Sequence, residues 1–443
     1  MKYTLKNISI EPNSKKGQEY LKKHNIELRR LDNGITIVGI PCQMDNAAWA
    51  SIEYSFNTGS HNNLPGQVHF LEHFFNKKIH KLAEKNDINI NAYTSQVGVS
   101  QTSKGVCNPN VTNFGIWKTL QGVRSGLENP IDKDSKIESE KKVIADEIIR
   151  LKNNHDFLAG RHFRQVVYSK ENPLFDTPLV TGELEDLEKI DFKSLQSITE
   201  KVLVPDGMVI KIYTEGDKYA SKMLADRIEN LYLDFPRKNK KSSKLDQSLR
   251  DKLNPDFKPG QIYIQNTNIK NNRITFSFVW VFKVSFPEIE RFALGNIVSP
   301  LFANLHEYSR IAGWGYQTDV YTDRPSYNLS NMTLRIDTNK MENPGEFAKN
   351  ELLPALKKHV IAPIDKKIIK EICDLEDRKQ RAIPIGNHDR LDWVIDGLKD
   401  FGRIIDHDAL KKIFLDIKPS HLEKFISELL KVEPAIIITG DLG

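Results

Sequence analysis

The sequence has no long apolar run and little cysteine. No apolar stretch approaches the roughly 20 residues that a membrane-spanning helix requires, so we expect no membrane partner. The opening segment also lacks the apolar region of a secretory signal. The three cysteines, Cys42, Cys107 and Cys373, are odd in number and widely spaced. They support neither a disulfide framework nor a cysteine zinc site and fit a reducing compartment, so we expect a cytoplasmic protein.

A strong charge of either sign is also missing. The net charge is +5, and 39% hydrophobic with 28% charged residues is ordinary for a globular protein. The densest basic run, 237–244, has no aromatic residue that could stack on bases, so we expect no nucleic-acid partner. The run belongs to a polar stretch, and 443 residues are too many for one core. We therefore predict a domain at 1–236, a linker at 237–260 and a second domain at 261–443.

The sequence does contain the same order of elements twice. The first half has a β-hairpin pattern around an Asn-Gly turn and then a half-buried strand over 48–56. The second half has an alternating strand over 274–282. Both halves end with an apolar strand, 209–213 and 436–439, followed by Gly-Asp. We infer a duplication and predict an α+β fold of two homologous domains, each a largely antiparallel sheet packed with helices.

Two histidines one helical turn apart form a candidate chemical site. The segment from Pro65 predicts a helix on which His69 and His73 share one face, so both can bind one metal ion. Glu72 lies beside them, where a carboxylate can take a proton from water without being a ligand. The alternative is a helix with two surface histidines, but four flanking apolar residues would bury this helix, and buried polar groups need partners. These residues are Phe70, Leu71, Phe74 and Phe75.

A catalytic zinc needs a third protein ligand and an open position. The candidate lies at 139–151, where an apolar stripe predicts a helix and Glu140 and Glu147 share one face, two turns apart. From this spacing either glutamate could ligate while the other holds a histidine's second nitrogen or the local backbone. Without the histidine pair, an exposed acidic face beside Lys141 and Lys142 would be the simpler interpretation.

With these residues the sequence resembles the pitrilysin/insulinase family of inverted zinc metallopeptidases, which share the His-x-x-Glu-His order. Glu147 lies 74 residues past His73, within the family's interval for the third zinc ligand, and Glu140 matches the family's accompanying glutamate. The resemblance covers the chain from about Ile26 to Gly443. Further matching segments are 56–60, 66–73, Asn91-Ala92-Tyr93-Thr94 and Leu179-Val180-Thr181-Gly182.

The resemblance implies a fold similar to that of LuxS and the mitochondrial processing peptidase, with zinc in the first domain only. It implies that His69, His73 and Glu147 bind the zinc, that Glu72 is the general base and that Glu140 supports a ligand. These assignments are expectations about the site.

The second domain is expected to bind substrate rather than metal. If Pro287 is aligned with Pro65, the second copy has Arg291, Leu294 and Gly295 in place of the histidines and the glutamate.

In the family, an arginine and a tyrosine of such a domain hydrogen-bond the substrate near the scissile bond. Tyr316 matches the tyrosine, whereas the family spacing places the arginine at Ser309, one residue from Arg310. We expect Tyr316 and Arg310 to stabilise the oxyanion of the reaction.

We therefore predict a zinc metalloendopeptidase that cleaves small or unfolded peptides. Two domains form half of the family's clamshell, so a homodimer or a heterodimer with a homologous subunit is expected. The family also contains non-catalytic partner or scaffold subunits, usually with a broken zinc motif, and this is the alternative function. Val68 in place of a small residue, and the absence of a family tyrosine from 97–101, indicate a divergent member with a narrow substrate set.

Overall fold

A computed structural model of the protein describes residues 8–442 with gaps, and some further side chains, including that of Tyr316, lie outside this description. The gaps are 42–49, 57–58, 60–62, 85–87, 95–98, 106–113, 133–135, 176–177, 216–217, 237–240, 242–246, 268, 270–272, 284–288, 300–302, 324–328, 340, 360–366, 368 and 376–386. Within the described part of the chain, no helix combines the length and the apolar character needed to cross a bilayer.

Helices and strands alternate along the chain. The strands of the described residues are β1 Ser9–Ile10, β2 Glu27–Arg30, β3 Thr36–Pro41, β4 Ala50–Phe56, β5 Ile88–Thr94, β6 Val99–Gly105, β7 Met208–Thr214, β8 Ile262–Asn266, β9 Arg273–Lys283, β10 Gly315–Asp323, β11 Leu329–Asn339, β12 Ile404–Ile405 and β13 Ala435–Gly440. The α-helices of the described residues include α1 Lys15–Lys23, α2 Gln67–Glu84, α3 Phe114–Glu128, α4 Ile137–Lys152, α5 His155–Val167, α6 Pro178–Thr181, α7 Leu184–Leu187, α8 Phe192–Val202, α9 Lys218–Tyr232, α10 Ile289–Val298, α11 Ala303–Ile311, α12 Pro344–Phe347, α13 Leu353–His359, α14 Asn387–Phe401, α15 His407–Asp416 and α16 Pro419–Leu429.

The strands form two main sheets with the same topology. The first has the order β2-β3-β7-β4-β6-β5, and the second has the order β10-β11-β9-β13-β8. Five strands correspond in order between the two sheets: β3-β7-β4-β6-β5 in the first and β8-β13-β9-β11-β10 in the second. In each series the first two strands are parallel, and all other neighbours are antiparallel. This correspondence confirms the α+β fold with two homologous halves, each having a largely antiparallel sheet. The domain boundaries near 236 and 261 stay a prediction.

The predicted hairpin at the edge of the first sheet is confirmed. β2 and β3 pair antiparallel, with Arg30 opposite Thr36. In the turn, the side-chain amide of Asn33 donates a hydrogen bond of 2.7 Å to the carbonyl oxygen of Tyr232. Gly34 has a φ of 99°, which favours glycine. The Asn-Gly turn therefore also fastens the hairpin to the end of α9.

Strand β4 supports the helix that carries the histidines. Its alternate residues Ile52, Tyr54 and Phe56 enter one apolar core together with Phe70 and Phe75 of α2. Burying a side chain of phenylalanine size contributes about 1.5–3 kcal/mol. The apolar face of α2 is thus held against the first sheet, and its polar face points away from this apolar core.

One helix from each half packs on the sheet of the other half. α14 covers part of the first sheet, and α5 covers part of the second. The buried residues of the first contact are Val38, Ile40, Val209, Tyr213, Leu391, Val394, Ile395 and Leu398. Helical periodicity shows that a face is apolar but not which sheet covers it, so the sequence does not predict this exchange.

The contact of α5 with the second sheet contains two buried histidines. His155 Nε2 lies 2.8 Å from Thr275 Oγ1, and His162 Nδ1 lies 2.7 Å from Thr439 Oγ1. Burial lowers the pKa of both histidines, that of His162 to about 4. Both rings are therefore neutral at pH 7, where they link the two halves of the chain.

The neutral His162 makes the stability of the protein sensitive to acid. Its pKa in the folded chain is below the ordinary value of 6.5, so the unfolded chain binds a proton that the folded chain does not. The resulting stability is complete above pH 6.5 and is lost as the pH falls towards about 4, at up to about 1.4 kcal/mol per pH unit. We expect the destabilisation caused by His162→Gln to shrink between pH 7.5 and pH 5 in urea unfolding. A constant effect of His162→Gln across this pH range would contradict the prediction.

Candidate metal centre

The start of α2 is fixed by close backbone contacts. Gly66 has a φ of 77°, and a Cβ atom built on it would lie 2.7 Å from the carbonyl oxygen of Thr181. A Cβ atom on Gly182 would lie 3.1 Å from the Cα atom of Gly66. The Gln67 side chain donates a hydrogen bond of 2.8 Å to the carbonyl oxygen of Ser194. The downstream loop that matched the family thus positions the helix that carries the histidines.

The polar face of α2 is enclosed. His69 and Glu72 are 7% and 6% exposed, and His73 is partly buried. The two imidazole rings lie edge to face with centroids 4.6 Å apart, as expected for residues one turn apart. The alternative of two surface histidines therefore does not describe this helix.

Three donor atoms meet between α2 and α4. His69 Nε2 and His73 Nε2 lie 3.2 Å apart. Glu147 Oε2 lies 3.8 Å from the first nitrogen and 3.7 Å from the second. In the described part of the chain, this is the one group of histidine, cysteine and acidic side chains close enough to hold a metal ion.

Glu140 lies on the other side of His73. Its Oε1 atom is 2.7 Å from His73 Nδ1, and its side chain is 2% exposed. Burial disfavours both charged forms, but the hydrogen bond between them raises the pKa of His73 and, together with Lys77, lowers that of Glu140. Glu140 therefore accepts the hydrogen bond of Nδ1, and Nε2 is the ring nitrogen that faces His69 and Glu147. Packing thus distinguishes the two glutamates that the spacing alone left equivalent.

The ring of His69, unlike that of His73, has a lowered pKa. Burial, reinforced by the nearby His73, lowers the pKa of His69 to about 3. Its Nδ1 atom is buried and has no hydrogen-bond partner among the described residues. An unprotonated ring offers a lone pair, which is what a metal ligand requires.

Glu72 is positioned by the end of β5. Thr94 Oγ1 donates a hydrogen bond of 2.9 Å to Glu72 Oε2. Burial raises the pKa of Glu72, although the bond from Thr94 opposes this effect. A carboxylate whose pKa is raised towards neutrality is a more effective proton acceptor. The resemblance included Thr94, but its contact with Glu72 depends on the packing of β5 against α2 and has no signal in the sequence.

The residues of this cluster fit a zinc ion. Two neutral imidazole nitrogens and one carboxylate oxygen are a donor set of catalytic zinc sites. The bond from His73 to Glu140 is the carboxylate–histidine arrangement that orients metal ligands.

The second half does not repeat the cluster at the corresponding positions. Arg291, Leu294 and Gly295 lie on α10, and Leu294 and Gly295 are buried. The guanidinium of Arg291 lies 3.7 Å from Glu428. None of the three offers a donor of the kind that zinc prefers.

The two predicted substrate-binding residues also lie in the second half. Arg310 is exposed in the last turn of α11, whereas the adjacent Ser309 is buried with its hydroxyl 3.4 Å from Thr318 Oγ1. The backbone of Tyr316 lies in β10 at a shift in the register with β11, and its side chain lies outside the described part. Since no described hydrogen bond or ion pair joins Arg310 to the cluster, both roles stay predictions.

Sequence reasoning missed Lys77. Its Nζ atom forms an ion pair with Glu140 Oε2. Lysines on exposed helix faces are common, and the available signal was its position four residues after His73.

Comparison with known proteins supports the same fold. No family model and no curated protein matches the chain. Among solved structures, a protease from Helicobacter pylori is 17% identical, with a TM-score of 0.68, 94% of this chain and 99% of that chain covered. Pitrilysin is 15% identical, with a TM-score of 0.64, 95% of this chain and 45% of that chain covered.

The chain has the pitrilysin fold. The resemblance drawn from the motif is thereby confirmed at the level of the fold. A peptidase M16 inactive domain from Pseudomonas fluorescens shares the pitrilysin fold, with 11% identity, a TM-score of 0.67, 94% of this chain and 97% of that chain covered. The chain spans nearly the whole Helicobacter protease but less than half of pitrilysin itself.

The contact at Gly66 predicts that any side chain there displaces the start of α2. Gly66→Ala adds left-handed strain of about 1–2 kcal/mol and an overlap with Thr181 worth about 1–3 kcal/mol. Gly313→Ala is the matched control, because Gly313 has a φ of 69° but no atom within 4 Å of its Cβ position. We expect Gly66→Ala to lower the free energy of unfolding more than Gly313→Ala does. Equal losses would show that the backbone contact does not constrain the start of α2.

Proposed function

We propose that the protein is a zinc metalloendopeptidase that hydrolyses peptide bonds in small or unfolded peptides. The observation that supports this most directly is the meeting of His69, His73 and Glu147 donor atoms beside the buried carboxylate of Glu72. A bound zinc ion would supply Lewis acidity, which polarises a carbonyl group and lowers the pKa of water. The coarser statement, a peptidase-like protein, agrees with the proteases that share the fold.

The chain's own residues would divide the remaining work. His69, His73 and Glu147 would hold the metal, while Glu140 keeps the proton of His73 on Nδ1. Glu72, whose Oε2 is held by Thr94, would use its other oxygen to accept a proton from water and would later deliver it to the leaving amine.

An extended peptide would bind along the edge of the first sheet. β5 is one of the two edge strands of this sheet, and its last residue, Thr94, contacts Glu72. Pairing with an edge strand reads the peptide backbone and tolerates varied side chains. A substrate on this edge would have its backbone next to the proposed base.

The second half would complete the site. We propose that Tyr316, with Arg310, stabilises the oxyanion. Since pitrilysin is about twice as long as this chain, the arrangement we propose is a homodimer or a pairing with a homologous subunit. A cytoplasmic location also stays a prediction.

The rival function is that of a non-catalytic partner subunit. It is favoured by one observation, namely that a domain with the same fold is described as inactive. Retention of His69, Glu72, His73 and Glu147 together favours the enzyme, because a scaffold has no need of a buried carboxylate beside three metal donors.

Replacement of the proposed base separates the two functions. Glu72→Gln keeps the size of the side chain but cannot accept the proton, so we expect kcat to fall by about 100-fold to 10,000-fold with zinc content unchanged. The measurement is cleavage of a mixed peptide library by mass spectrometry, with zinc content determined in parallel. Glu138→Gln, at an exposed position on α4, is the control and should cleave like the wild type.

Two outcomes would count against this proposal. Retained turnover in Glu72→Gln would remove the assignment of the base. Zinc-loaded wild-type protein that cleaves no peptide, alone or with a homologous subunit, would support the scaffold function instead.

A further inference from the structure

The carboxylate of Glu140 is held by two helical neighbours on α2. His73 Nδ1 binds Oε1 at 2.7 Å, and Lys77 Nζ binds Oε2. His73 and Lys77 are four residues apart, so both project towards α4 from one face. Each oxygen of the buried Glu140 therefore has its own partner, and the carboxylate cannot rotate without breaking a contact.

Glu147 is held less tightly. It lies seven residues after Glu140 on the same helix face, and its side chain is 32% exposed against 2% for Glu140. Its Oε2 atom is directed at both Nε2 atoms. Two glutamates of equal chemistry thus face one helix, and they differ in exposure and in the ion pair of Lys77 with the second oxygen of Glu140.

We propose that Lys77 is a positioning residue that keeps Glu140 as the hydrogen-bond acceptor of His73 and leaves Glu147 as the metal ligand. The inference rests on the proposed zinc site. Lys77 does not touch the donor atoms, and it acts through Glu140 on the orientation of the His73 ring. Carboxylates that orient a ligating histidine typically contribute 10-fold to 100-fold in metal affinity.

A simple electrostatic effect of Lys77 would have the opposite sign. A cation near a dication repels it, so removing a lysine that did nothing else would tighten zinc binding. A positioning lysine, when removed, weakens binding because Glu140 and His73 lose their fixed geometry. The direction of the change therefore separates the two explanations.

The experiment measures the dissociation constant of zinc by competition with a chromophoric chelator, using the full chain. We expect Lys77→Met to weaken binding about tenfold. In the Glu140→Gln background, Lys77→Met should cause no further weakening, because the residue through which it acts has changed. Lys78→Met is the matched control, since Lys78 is the next residue on α2 but pairs with Asp132 at 3.1 Å. Thermal unfolding of each variant verifies that the fold is retained, as expected for a lysine whose side chain is 59% exposed.

Lys77→Arg provides a second variant that keeps the charge. Because arginine keeps the positive charge that pairs with the Glu140 carboxylate, this variant should bind zinc with a dissociation constant within about threefold of the wild-type value. Unchanged or tighter binding by Lys77→Met would overturn the inference, as would equal weakening in the Glu140→Gln background. A wild-type chain that binds zinc but cleaves nothing would overturn the proposed function and leave this inference standing. A wild-type chain without zinc affinity would overturn both.

Discussion

The contact between the imidazoles of α2 and the carboxylates of α4 is the interaction on which the site depends. It brings two imidazole rings and two carboxylates of α4 together beside Glu72, in a largely buried region where polar groups without partners cost free energy. The structure meets this cost with specific pairs, namely His73 with Glu140 and Glu72 with Thr94. Among the atoms outside these pairs, the two Nε2 atoms and Glu147 Oε2 converge.

The rest of the fold holds these two helices in place. The apolar face of α2 packs on the first sheet, and its start is locked against the loop that contains Gly182. α5, which follows α4 in the chain, packs on the second sheet. α14, which belongs to the second half, packs on the first sheet. Through α5, the helix with Glu147 is connected to the second half as well as to the first, and sites built on helices are held more precisely than sites on loops.

The sequence predicts the strands and the motif better than the connections between them. Alternation located β4 and β9, and an i,i+4 pair located His69 and His73, because these are local patterns. Glu140 and Glu147 could not be told apart, since a spacing of seven puts both on one face and only packing against α2 distinguishes them. The helix exchange depends on contacts between distant parts of the chain, and the role of Lys77 depends on a partner on another helix.

The most direct test of the central claim is anomalous diffraction at the zinc edge, on crystals of the purified chain grown with stoichiometric zinc. The account predicts one strong peak per chain, within bonding distance of His69 Nε2, His73 Nε2 and Glu147. A peak elsewhere, or a peak at this position that persists unchanged in Glu147→Gln, would contradict it. The absence of any peak would show that the convergence of these donors does not make a zinc site.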